Sequence, residues 1–248
     1  MTDPGLLPPA AADLRYLLNR GYPREESLRL VGNRYNLDRT SRQLLHRGVC
    51  AEAGARARRA KLRLLAQVAG RPLALDGHNV LITLESALRG LPLVAADDGF
   101  IRDVAQVSGA YRARTTTRRA LELLAEYVSR HHLGEVAVFY DAPLSKSGEL
   151  ARLTQELFRH AGLDARARAV AVPERELLAF PGPLATSDSH LIDLHPEVVD
   201  LAGEIIREER LGHLVPLAPD PAPEHRKNSP APATPLHKNS CQKKSSQI

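Results

Sequence analysis

The sequence predicts an α/β fold, in which helices cover both faces of a mostly parallel sheet and a small helical module precedes it. From Arg71 onward, short apolar segments alternate with helical patterns, the order that parallel strands joined by crossover helices require. Before Arg71 the patterns are helical only. Three of the apolar segments end in an aspartate, and the carboxyl ends of parallel strands lie at one edge of a sheet. A group of acids at that edge is therefore expected.

The first predicted unit is a small basic helical module that spans 13–67. Gly21-Tyr22-Pro23 and Gly32-Asn33 divide its apolar stripes into short helices, because Gly and Pro favour helix ends and starts. A third short helix follows, and then a longer, arginine-rich helix over 51–67. Helix-turn-helix units have this size, so the pattern leaves DNA binding open beside a purely structural addition.

The second predicted unit is the α/β segment over 71–217. Its strands are predicted at 72–76, 135–141, 168–172, 183–187 and 213–217. Its helices are predicted at 79–89, 98–108, 115–131, 147–161 and 196–209. The remaining tail, 218–248, is rich in Pro, Ser, Lys and Asn, and it is expected to be disordered because it has too few apolar residues to form a core.

Charge divides the chain in the same place as the secondary-structure pattern. Residues 1–70 carry 13 Lys and Arg against 6 Asp and Glu, whereas residues 71–216 carry 16 against 21. A basic head on an acidic body favours a polyanion at the head and cations at the body, although basic helices are also often just solvated. No segment approaches the roughly 20 apolar residues of a membrane span, and the two cysteines fit a reducing, cytoplasmic setting.

Asp76 is the first candidate site residue. It ends an apolar run and is followed by a glycine and by Asn79, which opens the next helical pattern. A carboxylate beside a core is costly unless it is paired or bound to a cation. Asn79 is either a simple helix cap or a polar group of the site.

Asp141 ends the next strong strand, Val136 to Tyr140, and a polar segment follows it. Ser145, Lys146 and Ser147 lie where the next helix is expected to begin. Free backbone N–H groups, a lysine and two hydroxyls at a helix start form a natural phosphate pocket, whereas Ser147 alone is also an ordinary cap. The GxxxxGK[ST] spacing of a Walker loop is absent.

The third strand-end acid is Asp188, preceded by Thr186 and Ser187, whose hydroxyls can position water or phosphate. Asp97 and Asp98 form a pair of adjacent acids before another helical pattern. Adjacent acids repel unless a cation or a helix start is close, so capping explains one of them and a metal contact the other. Sites built from carboxylates alone favour Mg²⁺ or Mn²⁺. Zinc, serine-hydrolase and dinucleotide motifs are absent.

These motifs resemble the signature of PIN/NYN-like nuclease domains: Asp76-Gly77-His78-Asn79, Asp141 with its Ser-Lys-Ser-Gly-Glu segment, and Thr186-Ser187-Asp188. Over 13–216 the chain also resembles a family of uncharacterised prokaryotic proteins in which a short helical module precedes a PIN-like domain. The segments at 17–23 and 31–35 carry that second resemblance.

The resemblance implies a three-layer α/β/α sandwich and metal-dependent hydrolysis of phosphodiesters, usually in RNA. It matches Asp76, Asp141 and Asp188 to the strand-end acids and Asn79 to the asparagine that follows the first. PIN-like domains usually carry a further acid on a middle helix. The candidates for that position are Asp97, Asp98 and Asp103, and the sequence leaves the choice open.

The resulting hypothesis is a Mg²⁺- or Mn²⁺-dependent ribonuclease. Asp76, Asp141, Asp188 and either Asp97 or Asp98 would hold the metal, while Asn79, Thr186 and Ser187 orient water or phosphate. The segment 145–148, with Lys146, would bind a neighbouring phosphate, and the basic module would add affinity for RNA. The alternative is a non-catalytic nucleic-acid-binding or scaffold protein that keeps the fold.

Overall fold

The computed structural model describes residues 3–104, 115–144 and 146–218. Helices α1 to α10 span Leu7–Asn19, Arg24–Arg34, Arg39–Gly48, Glu52–Lys61, Gly77–Leu88, Thr115–Ser129, Ser147–His160, Pro173–Leu178, Ser189–Leu194 and Leu201–Glu208. Strands β1 to β9 span Leu62–Arg63, Leu73–Asp76, Pro92–Ala95, Ile101–Asp103, Val136–Asp141, Ala165–Val170, Leu184–Ala185, Val198–Val199 and His213–Val215. Short 3-10 turns at Pro4–Leu6 and Leu65–Val68 complete the pattern.

The central sheet has six parallel strands in the order β1-β8-β7-β2-β5-β6. Alternate residues of β2 and β5 enter two separate cores, since successive side chains of a strand point to opposite faces. Leu73 and Leu75 pack with α5, α6, α7 and α10, whereas Ala74 packs on the other face with α8 and α9. The predicted α/β class, a three-layer sandwich with a helical region before it, is therefore confirmed.

A smaller sheet, in the order β4-β3-β9, joins the helical region to the sandwich. The third core contains apolar residues of α1, α2 and α3 together with Val94 of β3 and Leu217. Gly48, at the end of α3, lies directly against these two side chains: a Cβ there would stand 2.3 Å from Leu217 Cδ1 and 2.6 Å from Val94 Cγ2. Helix α3 can approach the small sheet this closely because residue 48 has no side chain.

The helix predicted at 98–108 is wrong over its described part. Ile101–Asp103 forms β4 and runs antiparallel to β3, a strand that the sequence patterns did not predict. Gly99, with φ +93°, makes the turn between the two strands, and Ala96 N–H donates to the carbonyl of Phe100. Residues 105–108 lie outside the described residues.

Other boundaries differ where short strands interrupt predicted helices. The basic helix predicted over 51–67 ends at Lys61, because Leu62–Arg63 pairs with β8 as an edge strand of the main sheet. Likewise, Val198–Val199 is a strand, and α10 begins only after Asp200, whose carboxylate caps it by accepting from Gly203 N–H. The predicted strand 168–172 starts earlier, at Ala165, and His213–Val215 joins the small sheet. Residues 219–248 of the predicted tail lie outside the described residues.

Candidate functional site

A cavity of about 640 Å³ opens at the carboxyl edge of the main sheet. The side chains that line it come from both the helical region and the sandwich. Five of them are acids, from β2, β4, β5, α8 and the start of α9: Asp76, Asp103, Asp141, Glu174 and Asp188. The other lining residues are Gln43, His46, Arg47, His78, Asn79, Ile82, Val104, Leu144, Pro173, Leu177 and Leu191.

Asp76 holds the centre of this edge. It ends β2 and caps α5, where its Oδ1 accepts from Asn79 N–H at 3.4 Å. Its Oδ2 accepts from the hydroxyl of Thr186 at 3.0 Å. Burial is the main reason why its pKa rises to about 7, and the charges of Asp188 and Glu174 raise the pKa further, against the hydrogen bonds that lower it. The pKa thus reflects a desolvated carboxylate among like charges.

Asn79 fixes the segment that carries the third acid. Its Oδ1 accepts from both Ser187 N–H, at 2.8 Å, and Ser187 Oγ, at 3.0 Å. The hydroxyl of Thr186 in turn accepts from Asp188 N–H at 3.1 Å, and Asp188 caps α9 by accepting from His190 and Leu191 N–H. The side chains of Asn79, Thr186 and Ser187 therefore hold Asp188 against Asp76.

Asp141 ends β5 beside Asp76, and a histidine supports its backbone. Asp141 N–H donates to His78 Nδ1 at 3.1 Å, which leaves the ring hydrogen of a neutral imidazole on Nε2. Burial lowers the pKa of His78 to about 4, so the ring is neutral at physiological pH. Burial and the nearby charge of Glu174 both raise the pKa of the Asp141 carboxyl.

Asp103 is the acid of β4 that lines the pocket, and the sequence had left it open among three candidates. Its Oδ2 accepts from the hydroxyl of Thr83 at 3.0 Å and lies 3.8 Å from a guanidinium nitrogen of Arg47. Thr83 lies on α5, the helix that Asp76 caps. The antiparallel turn into β4 is what brings Asp103 to the sheet edge.

The structure does not bring Asp97 and Asp98 into this pocket, contrary to the sequence hypothesis. Asp98 is fully buried, and Arg102 donates to its two oxygens at 2.8 Å each, while Arg58 approaches at 3.1 Å. These guanidinium groups more than offset the cost of burial, so the Asp98 pKa lies below its usual value. Asp97 is paired with Arg15 and accepts from Cys50 N–H. Arginines, not a metal, neutralise this pair of acids.

The predicted phosphate-binding segment also differs from the hypothesis. Ser145 lies outside the described residues. Lys146 has a left-handed backbone with φ +68°, is exposed, and pairs loosely with Glu149 at 3.8 Å, so it does not line the cavity. Ser147 is buried, and its hydroxyl donates to the carbonyls of Asp141 and Leu144. The role of Ser147 in the fold is to close the turn after β5.

Sequence reasoning missed the helical-region wall of the cavity and Glu174 in the first turn of α8. Gln43, His46 and Arg47 lie on one face of α3, a spacing that is visible in the sequence but is also typical of a solvated face. Within the part of the chain that the structure describes, Arg47 is the only Lys or Arg that lines the cavity. Burial and the charges of Arg24 and Arg47 lower the pKa of His46.

Most basic side chains of α4 hold the helical region to the sandwich. Arg58 donates to both oxygens of Asp193 at 2.7 Å each, and Lys61 Nζ donates to the carbonyls of Ile192 and Asp193. Arg59 contacts the carbonyl of Asp97. The arginine-rich composition of this helix therefore serves packing between elements, which a charge count cannot distinguish from a surface for polyanions.

The described residues of the cavity supply several carboxylates but no closed metal site. All the candidate ligands are carboxylate oxygens, which is the donor set that Mg²⁺ and Mn²⁺ prefer. Within residues 3–104, 115–144 and 146–218, no three His, Cys, Asp or Glu side chains are placed to hold a metal ion together. Mg²⁺ is commonly bound through one or two carboxylates with water as the remaining ligands.

Fold and site together define an α/β/α sandwich with an acidic pocket at the carboxyl edge of its sheet, closed on one side by an N-terminal helical region. Residues 65–204 match the family model described as a domain of unknown function (DUF5616), and the chain belongs to this family. Residues 6–61 match a second model, described as a protein of unknown function (DUF434).

A relative from Methanocaldococcus jannaschii extends this match across both regions. The chain is 33% identical over 199 residues to that organism's uncharacterized protein MJ0935, an alignment that covers 79% of this chain and 95% of the relative. No solved structure matches the chain. Among the described residues, no helix is long and apolar enough to cross a membrane.

Proposed function

We propose that this protein is a metal-dependent ribonuclease of the PIN/NYN type, with Mg²⁺ or Mn²⁺ bound in the acidic pocket. One observation carries the proposal: among the described residues that line the cavity, five are acids from separate elements and one is an arginine. Carboxylates that lie this close together repel each other and destabilise the fold unless a positively charged partner offsets the repulsion. A divalent cation is the partner that matches their chemistry.

The ion would be held by one or two of Asp76, Asp141 and Asp188 at a time, with water as its remaining ligands. Asp103 takes the place in the pocket that the sequence hypothesis gave to Asp97 or Asp98. When bound, the ion supplies a lowered pKa for attacking water and positive charge for the phosphate. Asp76 is the residue whose protonation controls binding, because its carboxyl has a pKa of about 7 and must be ionised to act as a ligand.

The remaining side chains orient these groups. Thr186 donates a hydrogen bond to Oδ2 of Asp76, and the backbone N–H of Asn79, at the start of α5, donates to Oδ1. The two bonds together orient the carboxylate. The Oδ1 of Asn79 is engaged with Ser187, so its amide nitrogen is the group left to donate to a phosphate oxygen. Positioning of this kind accounts for a large part of phosphoryl-transfer catalysis.

RNA is the proposed substrate class, following the PIN/NYN resemblance. A direct test combines metal binding with cleavage. The melting temperature of the full chain should rise with added Mn²⁺ or Mg²⁺, since a ligand that binds only the folded state stabilises it. Fluorescently labelled single-stranded RNA should then be cleaved in Mn²⁺ and not in EDTA, and more rapidly than the same sequence as DNA.

Two variants make the test specific. Asp76→Asn should abolish both the Mn²⁺-dependent rise in melting temperature and cleavage. Asp164→Asn, an exposed acid outside the pocket, should change neither. Stabilisation by spermidine but not by Mn²⁺ would assign the pocket to organic cations instead. RNA binding without cleavage, and without a metal effect, would replace the nuclease by the non-catalytic nucleic-acid-binding alternative.

A further inference from the structure

Helix α3 places three polar side chains in a cavity that otherwise belongs to the sandwich. Gln43, His46 and Arg47 are spaced i, i+3 and i+4, so they share one face of the helix. They differ from the strand-end acids in origin and in chemistry. The sandwich supplies carboxylates to the lining, and α3 supplies an amide, an imidazole and a guanidinium. The cavity is therefore built by both parts of the chain.

The last turn of α3 is anchored from several directions. Its terminal carbonyl groups need partners, as they do at any helix end. Arg24 donates to the carbonyl of His46 at 3.0 Å, Arg102 to that of Arg47 at 3.4 Å, and Asp97 N–H to that of Gly48 at 2.8 Å. These donors belong to α2, to β4 and to the turn before β4. The face that carries Arg47 is consequently fixed relative to the acids.

Arg47 is tied to the pocket edge but retains most of its donors. Its Nε donates to the backbone carbonyl of Asp103 at 3.2 Å, and an Nη lies 3.8 Å from the Asp103 carboxylate, a loose ion pair. Guanidinium has five N–H donors, and its terminal fork fits two phosphate oxygens at once. The side chain is 29% exposed, so a ligand in the cavity can reach it.

The charge balance indicates which ligand this wall serves. A pocket of five carboxylates repels a phosphate group, even when a bound cation offsets two of the charges. Among the described residues that line the cavity, the guanidinium of Arg47 is the only Lys or Arg charge. His46 adds a hydrogen-bonding group, and burial and the charges of Arg24 and Arg47 lower its pKa. Gln43 adds a neutral donor and acceptor.

We propose that α3 forms a phosphate-binding wall of the acidic cavity, in which Arg47 and Gln43 bind the backbone phosphate of a single-stranded nucleic acid. The proposal rests on the proposed nuclease function for its substrate class. It adds that the helical region is part of the substrate site and is not a separate nucleic-acid-binding module. Arg47 is a substrate-binding residue in this arrangement.

The experiment measures binding of a fluorescein-labelled single-stranded RNA to the full chain by anisotropy, in Ca²⁺ and in EDTA, over a series of salt concentrations. Arg47→Ala should weaken binding about tenfold, since hydrogen bonds to charged groups are the stronger ones, and should reduce the salt slope by about 0.7, the value for one phosphate contact. Arg56→Ala removes an exposed charge from α4, outside the cavity, and should have a much smaller effect.

A second variant, Gln43→Glu, tests the same wall in case Arg47→Ala does not fold. This near-isosteric change adds an acid to the wall, so it should weaken RNA binding and at the same time increase the rise in melting temperature with Mn²⁺. Ala57→Glu adds the same charge at an exposed position on α4 and should produce neither effect. A merely structural role of α3 would not give two effects of opposite sign.

The outcomes separate this inference from the nuclease proposal. Equal effects of the Arg47 and Arg56 variants on binding, or no opposite changes with Gln43→Glu, would overturn the phosphate-binding wall even if the protein cleaves RNA. Conversely, selective loss of RNA binding in the Arg47 variant, with the Gln43 pattern above, supports the wall even if cleavage is never observed. In that case only the nuclease proposal fails.

Discussion

The hydroxyl of Thr186 donates to Oδ2 of Asp76 at 3.0 Å, although the two residues are 110 positions apart in the sequence. The hydroxyl oxygen of Thr186 in turn accepts from the backbone N–H of Asp188 at 3.1 Å. One hydroxyl therefore connects the ends of β2 and β7 and controls how close two of the acids stand. It also favours the ionised form of Asp76 in a setting where burial and neighbouring charges oppose ionisation.

We expect Asp76→Asn to stabilise the protein in the absence of metal. The folded-state pKa of Asp76, about 7, lies above the ordinary value of 3.8, so its ionisation opposes folding. The raised pKa contributes fully to the free energy of unfolding below about pH 4, where the carboxyl is protonated in both states. This contribution is lost as the pH rises through 7. Removing the charge should add about 2 kcal/mol at about pH 8, or about 4–8 °C in melting temperature.

The pH dependence distinguishes this effect from a general gain in packing. At about pH 5 the gain should be less than half as large, because the wild-type carboxyl is then mostly protonated in the folded state. Thermal melts in EDTA at the two pH values provide the measurement, and Asp164→Asn is the control. A variant that is less stable than wild type at both pH values would contradict the assigned burial of Asp76.

Thr186→Val should make metal binding more sensitive to acid. The variant loses the hydrogen bond that lowers the pKa of Asp76, so protons compete with Mn²⁺ up to a higher pH. The rise in melting temperature with Mn²⁺, followed from about pH 5 to about pH 9, should shift toward higher pH, whereas Thr186→Ser should retain the wild-type profile. An unchanged profile in Thr186→Val would show that this hydroxyl does not tune Asp76.

The position of the acidic pocket was accessible from the sequence because topology, not fine packing, determines it. Asp76, Asp141 and Asp188 each follow an apolar strand, and parallel strands bring such residues to one edge. The structure places all three in the same cavity. Asn79, Thr186 and Ser187 lie beside them as hydrogen-bonding partners, although their part in catalysis stays a prediction.

The fourth acid was not accessible in the same way. Phe100 and Ile101 fit an apolar helix face as well as a short strand, and the sequence around them predicted a helix. The strand forms because β3 pairs with it and because Arg102 buries Asp98 in a bidentate ion pair. Both partners are tertiary features, so Asp103 could not be singled out from local pattern.

The α3 wall is a second part of the site that could not be predicted from the sequence. Arg47 and His46 lie on an amphipathic helix whose polar face looks solvated in the sequence. The close approach at Gly48 and the hydrogen bonds to the last carbonyl groups of α3 hold that face toward the sandwich. The arginines of α4 show the converse. In the sequence they resemble a surface for polyanions, but in the structure Arg58 and Arg59 form ion pairs or hydrogen bonds with Asp98, Asp193 and a backbone carbonyl.

Asp98→Asn should destabilise the protein strongly, in contrast to Asp76→Asn. It removes a fully buried charge from Arg102, whose side chain is itself only 1% exposed, and breaking such a pair costs about 3–5 kcal/mol. A fall of about 6–20 °C in melting temperature is expected. The neighbouring Asp97→Asn, which affects the more exposed pair with Arg15, should have a smaller effect.

The Asp98 ion pair also predicts how the stability of the fold decreases as the pH is lowered. The folded-state pKa of Asp98 is held below its ordinary value, so its contribution is present above about pH 4 and is lost as the pH falls through the folded-state pKa. Wild type should therefore lose stability in acid more steeply than Asp98→Asn. Parallel melts of the two proteins as the pH is lowered test this, and equal slopes would contradict the pairing.

Arg58→Ala should show that the arginines of α4 bind the protein itself. Arg58 links α4 to Asp98 and, with two hydrogen bonds of 2.7 Å, to Asp193. Because Asp193 is half exposed, the loss should come mainly from the buried partner and amount to about 2 kcal/mol, measured by urea unfolding. Arg56→Ala, two residues earlier on the same helix but exposed, should leave unfolding unchanged. If both variants unfold like wild type, the contacts of Arg58 contribute nothing to stability, and its charge becomes available as part of a surface for RNA.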